Sequence, residues 1–355
     1  MLRATLAAAA ALASLTAATA TATASAATVH VRGTAYEFNA TNIKLAGAQI
    51  RVAEDPRLGA TVGADGTYDL KVPSGRSITP YINAAGHHTI YLQTFATLAG
   101  HDLERVNFQT PSDAIYGALG ALLQVPVGAD GNPVQCAIVS TFSTRDVRDL
   151  DFAAFTGYGA HGVAGATAAA EPALPAPVYF NESVIPDRSQ RASSRDGGVI
   201  WPVVPPGKYT IKASQPTTSF APFTATCAPG RIVNANPPWG LHELGLTNPT
   251  RYSAGWDGPA PRTLKLTELP PLATVVATCA GRGCPFTTRT LARAGTHRSL
   301  DLRARLGTST INRLRAGQTL AVAIAAHAYD GVRLSWRLHA VRAPTTIAAS
   351  LPLGG

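Results

Sequence analysis

Charged side chains make up only 14% of this 355-residue sequence, and the short signatures of catalysis are missing from it. There is no GxSxG elbow to mark a serine nucleophile, and no HExxH or CxxC to mark a zinc centre. No P-loop and no dinucleotide fingerprint is assigned, so no cofactor is called for. Carboxylates are sparse, and no pair stands out as the acid and base of a glycosidase. After the first residues no run of about eighteen apolar side chains occurs, which argues against a helical membrane span in the mature chain.

What is present is turn chemistry. The 32 glycines and 26 prolines are scattered between short apolar runs, as in folds with many turns, and the 46% apolar content can fill two or three cores. Arg3, the apolar stretch Leu6 to Leu15 and the small residues Ala24-Ser25-Ala26 predict an export signal over 1–26, hence a secreted, extracellular protein. The four cysteines suit that compartment. They allow three pairings, of which Cys136–Cys227 with Cys279–Cys284 is the economical one.

Three β-rich modules are predicted, over 27–124, 125–244 and 246–343. In the first, Val29 and Val31 alternate with His30 and Arg32, Ile50 and Val52 share a face, and Tyr68, Leu70 and Val72 follow a tight turn at Ala64-Asp65-Gly66. In the second, residues 162–170 repeat the Gly-Ala step. Residues 193–213 then repeat the turn logic, with Asp196-Gly197, Pro206-Gly207, Tyr209 and Ile211. Two short helices are expected as insertions. Ser112-Asp113 caps one with Ile115, Leu119, Leu122 and Leu123 on a common face, and the other covers Asp149 to Phe155.

The order Gly-Ala-x-Val, Asp-Gly-x-Tyr, Pro-Gly-x-Tyr-x-Ile resembles the carboxypeptidase regulatory-like (transthyretin-like, Cna-B-like) β-sandwich, in two copies. The first copy departs from it at Pro73-Ser74-Gly75, where no tyrosine follows. The resemblance implies a mainly β fold of tandem sandwich modules in an accessory, structural or carbohydrate-binding role. The third module resembles a β-sandwich frequent at the C-termini of secreted bacterial proteins. In it Val332, Leu334, Trp336 and Leu338 are expected inward and Arg333, Arg337 and His339 outward, while Leu320, Val322 and Ile324 form a second buried set.

The net charge of +9 belongs to that third module. From Gly245 onward there are fourteen Lys/Arg against four Asp/Glu, and before it sixteen against seventeen. A basic exported face points to an anionic cell-wall polymer; the absence of a recognition helix or RNP motif argues against nucleic acid. Tyr179, Asn181 and Glu182 are the carbohydrate candidates, because rings stack on sugars while amides and carboxylates bond hydroxyls. One of Tyr179 and Phe180 is expected to fill the core, and Trp201, Trp239 and Trp256 are further candidate platforms.

His101 and Glu104 present the HxxE spacing of a metal pair, with His161 or His242 as a nominal third ligand. His87-His88 would point to opposite faces of a strand. The leading expectation is a secreted, non-catalytic binding or structural protein, engaging carbohydrate or an anionic cell-envelope polymer. The alternative is a secreted metal-dependent hydrolase or its accessory subunit.

Overall fold

Residues 27–295, 298–326 and 328–351 are described by a computed structural model, without the side chains of 293–295. The expected export signal over 1–26 lies outside the described residues. The chain is mainly β, built of stacked sheets with four short α-helices among the described residues. Alternation works as the residue types dictate: Tyr68, Leu70 and Val72 of the Thr67–Pro73 strand are 5%, 0% and 1% exposed, with exposed neighbours between them.

The internal repeat is visible in the pairing. In the first module the Thr28–Glu37 strand lies between Thr67–Pro73, antiparallel, and Phe108–Thr110, parallel. In the second, Cys136–Thr141 lies between Gly198–Val204, antiparallel, and Ile232–Ala235, parallel. The opposing sheets correspond too: Gln49–Val52 pairs with Pro80–Asn83 as Thr167–Glu171 pairs with Gly207–Ser214. The two Asp-Gly turns open equivalent strands. At each the glycine has positive φ (+83° at Gly66, +82° at Gly197), which a side chain would strain. Asp65 Oδ1 accepts from the Thr67 amide at 2.9 Å, and Asp196 Oδ2 from the Gly198 amide at 3.1 Å. The turn at Asp65-Gly66 does not close a hairpin. It carries the chain from Asp55–Thr61 in one sheet to Thr67–Pro73 in the other.

The two modules are fused. Ile90–Tyr91 of the first pairs in parallel with Ile232–Ala235 of the second, through Val233 and Tyr91. The opposing sheet of one module and the central sheet of the other thereby become a single nine-stranded sheet. Inside the second module a disulfide joins Cys136 to Cys227, tying its two sheets across the core. The other disulfide joins Cys279 to Cys284, closing a small loop in the third module.

Both predicted insertions are helical. Asp113–Leu123 lies over the outer face of the nine-stranded sheet, where Leu123 packs with Val178, Phe180 and Ile200. Leu122, expected on that face, is 52% exposed, and Ser112 sits at the N-cap without a side-chain bond. The C-terminus is closed instead by Gln124 in the left-handed conformation. The second helix is Phe152–Thr156, capped by Asp151 Oδ1 accepting from the Ala154 amide at 2.8 Å.

The third module stacks a three-stranded sheet on a five-stranded one around Leu320, Val322, Ile324, Leu334, Trp336 and Leu338. It is docked through polar groups. Arg148 is fully buried and donates to Asp330 Oδ1 at 3.0 Å and to the Tyr329 carbonyl. The same Asp330 oxygen accepts from the Gly245 amide at 2.7 Å, and Asn248 Nδ2 donates to the Asp330 carbonyl at 3.0 Å. The segment around Asn248 is thus held by the module it leads into.

Candidate functional site

A cleft of about 470 Å³ opens between the first two modules, beside the shared sheet. Its aromatic lining is Tyr36, Phe38, Phe155 and Phe180, and its polar lining includes Asn39, Gln109, His161, Glu182, Asp196 and Asn234. Tyr36 and Phe38 come from the end of the first strand of module one. Phe155 stands on the short inserted helix, where the Phe152 ring touches Tyr36 at 5.0 Å between centroids and carries Lys44 Nζ 3.9 Å above its face. Phe155 in turn meets His161 edge-on at 5.1 Å. The inserted helix is therefore fixed between the modules and supplies one wall.

The other wall depends on glycines that bring two loops together. A Cβ at Gly162 would lie 2.3 Å from the Gly197 nitrogen, and one at Gly198 would lie 2.7 Å from both Phe180 Cγ and Asp196 Oδ2. Phe180 and Asp196 are thus packed directly over Gly198. Burial pushes the Asp196 carboxyl above its ordinary value, opposed by the Gly198 amide and the His161 charge. His161 Nδ1 faces the Gly159 carbonyl at 2.8 Å. Since a carbonyl only accepts, Nδ1 is the donor of that bond.

The predicted carbohydrate residues separate. Tyr179 is 4% exposed in the second core, its hydroxyl accepting from the Ala168 amide at 3.1 Å. Phe180 is also buried, because the Asp113–Leu123 helix and its neighbours cover the sheet's outer face. Val178–Phe180 is therefore buried on both sides, not on one. Asn181 Oδ1 accepts from the amides of Ser183 and Ile185, at 2.9 and 3.1 Å, and so builds the turn that presents Glu182. Glu182 is exposed and lines the cleft. Of the tryptophans, Trp201 is a core residue donating to the Pro175 carbonyl, Trp239 donates to the Glu104 carbonyl, and Trp256 packs against Trp336.

The basic candidates also divide. Arg333, expected outward, does leave its own core, but it is 7% exposed because the first module covers it; it donates to the Ala99 carbonyl and to Ser335 Oγ. Burial lowers its pKa. Arg337 is exposed and lines a groove of about 1160 Å³ between the first and third modules, together with His30, Asp102 and the Cys279–Cys284 loop. His339 is half-buried.

The HxxE pair is given two different environments. Glu104 accepts from Arg32 at 2.6 Å, whereas His101 is pushed down to about 4 by burial, with the Arg333 charge adding to the effect. His161 lines the cleft and His242 is buried, 2% exposed. His88 stacks on Tyr116 at 3.7 Å, while His87 lies beside Glu37 at 3.5 Å. Among the described residues no group of three or more His, Cys, Asp or Glu side chains is placed to hold a metal ion.

Sequence reasoning missed Tyr36, Phe38, Gln109, Phe155, Asp196 and Asn234 as wall residues. It also passed over Gly157, Gly159 and Gly162, which do have the spacing of a dinucleotide fingerprint. They follow a helix instead of a strand and no helix follows them, so the structural context of that motif is absent.

No family model matches the chain, and no curated protein does. Among solved structures it is similar to the Bacillus anthracis TIE protein, with 11% identity and a TM-score of 0.20 over 92% of this chain. It spans about half (48%) of that protein's length. A DUF3823 family protein from Bacteroides ovatus is 12% identical with a TM-score of 0.18, covering 60% of this chain and 98% of its own. The chicken CNTN1 FN1–FN3 domains are 10% identical with a TM-score of 0.14, covering 87% and 90%. Likeness at this level identifies neither a family nor a ligand.

Proposed function

We propose that this is an exported, non-catalytic binding protein of the carboxypeptidase regulatory-like type that takes carbohydrate into the cleft between its first two modules. The observation that carries the reading is the cleft's composition: half-buried Phe38 and Phe155 beside Gln109, Asn234, Glu182 and Asp196. Rings of that kind cover the apolar face of a pyranose, while amides and carboxylates take its hydroxyls. Two disulfides fit an oxidising, extracellular compartment. No helix among the described residues is long and apolar enough to cross a membrane.

The test is retention of the folded protein on insoluble polysaccharides, with Phe155→Ala as the control. Phe155 is half-buried on a short helix, so its loss is expected to weaken binding about fivefold, within the range of an aromatic contact, while the fold persists. Retention by no polysaccharide, or equal retention of the variant, defeats the reading.

A second reading rests on the third module. Arg282, Arg298, Arg305, Arg313, Arg315, Arg337 and Arg342 are exposed and have no carboxylate partner among the described residues. An unneutralised face of this kind attracts an anionic envelope polymer, with a salt-dependent affinity. Binding to a teichoic-acid-type polymer that is undiminished by high salt counts against it.

A further inference from the structure

The cleft is acidic. The part of the chain before Gly245, which forms it, is close to neutral, with sixteen Lys/Arg against seventeen Asp/Glu, while the cleft is lined by Glu182 and Asp196 and, among the described residues, by no lysine or arginine. The amide and hydroxyl side chains of its lining, such as Asn39, Gln109 and Thr141, both donate and accept, so the carboxylates set its bias. Asn234 is 7% exposed and its Nδ2 donates to the Gln109 carbonyl at 3.2 Å, while its Oδ1 accepts nothing from the protein among the described residues. Two carboxylates and an unpaired amide oxygen give the wall a surplus of acceptors, and such a surplus calls for a ligand rich in donors.

From this we infer that the ligand of the cleft is a cationic amino sugar, a glycan carrying free ammonium groups, and not a neutral or acidic one. This rests on the reading of the cleft as a carbohydrate site. An ammonium has three donors and no acceptor, so against Asp196, Glu182 or the Asn234 oxygen it leaves no repelled lone pair. The sugar ring lies against Phe38 and Phe155, whose faces also favour a neighbouring cation. A uronic acid would bring a carboxylate against two others, and an N-acetyl group would exchange the ammonium for a single amide donor plus an unwanted acceptor. The buried side of the site is where the charge counts most, since Asp196 is half-buried and directly backed by Gly198 and Phe180.

The experiment compares the folded protein's affinity for soluble β-1,4-linked glucosamine oligomers with that for N-acetylglucosamine oligomers of equal length, at a mildly acidic pH where the amines are protonated. The glucosamine oligomer is expected to bind about tenfold tighter, as a charge-assisted hydrogen bond contributes. Glu182→Gln and Asp196→Asn keep the shape of the wall and are each expected to remove most of that preference, weakening the glucosamine oligomer more than the N-acetylated one. Glu182 is exposed, so its variant folds even if the Asp196 one does not. Equal affinity for the two oligomers, or a preference that survives Glu182→Gln, overturns the inference while the carbohydrate reading stands. Binding of neither oligomer, together with no retention on other glycans, overturns both.

Discussion

The molecule has two kinds of seam between modules. The first and second modules meet through backbone: a shared nine-stranded sheet runs across them, and apolar side chains such as Ala137 and Ile232 of the second join the core of the first. The second and third meet through side-chain charge: Arg148, Asp149 and Asp330 with a set of backbone carbonyls and amides. A sheet seam tolerates losses at single side chains, since each ladder bond contributes separately. A buried ionic seam does not, because removing one partner strands the other in a dry site. The contrast also explains where the cleft lies. A continuous sheet fixes two modules at a set angle and leaves the space above it open, whereas the charged junction is filled by its own groups.

The sharpest way to break this contrast is Arg148→Ala. Leaving the half-buried Asp330 without the Arg148 guanidinium is expected to cost about 3 kcal/mol, and limited proteolysis should then cut first near Gly245. A single cooperative unfolding transition at unchanged denaturant midpoint would remove the distinction between the seams. Replacing Cys136 and Cys227 with alanine comes next. The bridge closes a long loop (sequence separation 91) within the second module, so about 3 kcal/mol should be lost from the first two modules together, leaving the third intact. Gly198→Ala forces a methyl onto Phe180 and Asp196 and should cost about 2 kcal/mol, with loss of ligand binding disproportionate to the loss of stability.

Acid provides a gentler probe. His101 beside Arg333 and His242 beside Arg148 and Arg105 both have pKa values pushed down to about 4, mainly by burial. A histidine depressed in the folded state is neutral there while the unfolded chain takes up a proton. Its stabilisation is therefore full above the unfolded value near 6.5 and is lost as pH falls toward 4. Each contributes a slope of up to about 1.4 kcal/mol per pH unit in that window. Both histidines stand at edges of the third module's seams, so its release is expected to precede unfolding of the fused pair. Urea titrations at pH 7 and pH 5, with hydrogen exchange read separately for the third module and the fused pair, would show the order; simultaneous loss of both regions contradicts it.

Much of the fold could be read from the residues. Alternation at Tyr68, Leu70 and Val72, and the two Asp-Gly turns, set strands and corners because those signals are local. The repeat was legible because equivalent turns recur in the same order. The fusion of the two modules was not, since nothing in Ile90–Tyr91 states that its partner is Ile232–Ala235. For the same reason Arg333 read as an outward cation: the period of a strand tells which side a residue leaves by, not that another module waits there. Glu182 was singled out through its neighbourhood with aromatics, and those aromatics themselves are buried. Phe155 and Asp196 lay far from it in sequence and were read only as a helix residue and a turn residue.

The shared sheet also orders events during synthesis. Ile90–Tyr91 is part of the first module, but its outer edge is covered only when Ile232–Ala235 arrives, after nearly all of the second module has emerged. Until then the first module presents a bare strand edge, the feature that invites pairing with other chains. Chains that stall or are truncated between the two should aggregate through that edge, and a polypeptide crossing a membrane unfolded would reach safety only when the second copy of the repeat follows the first.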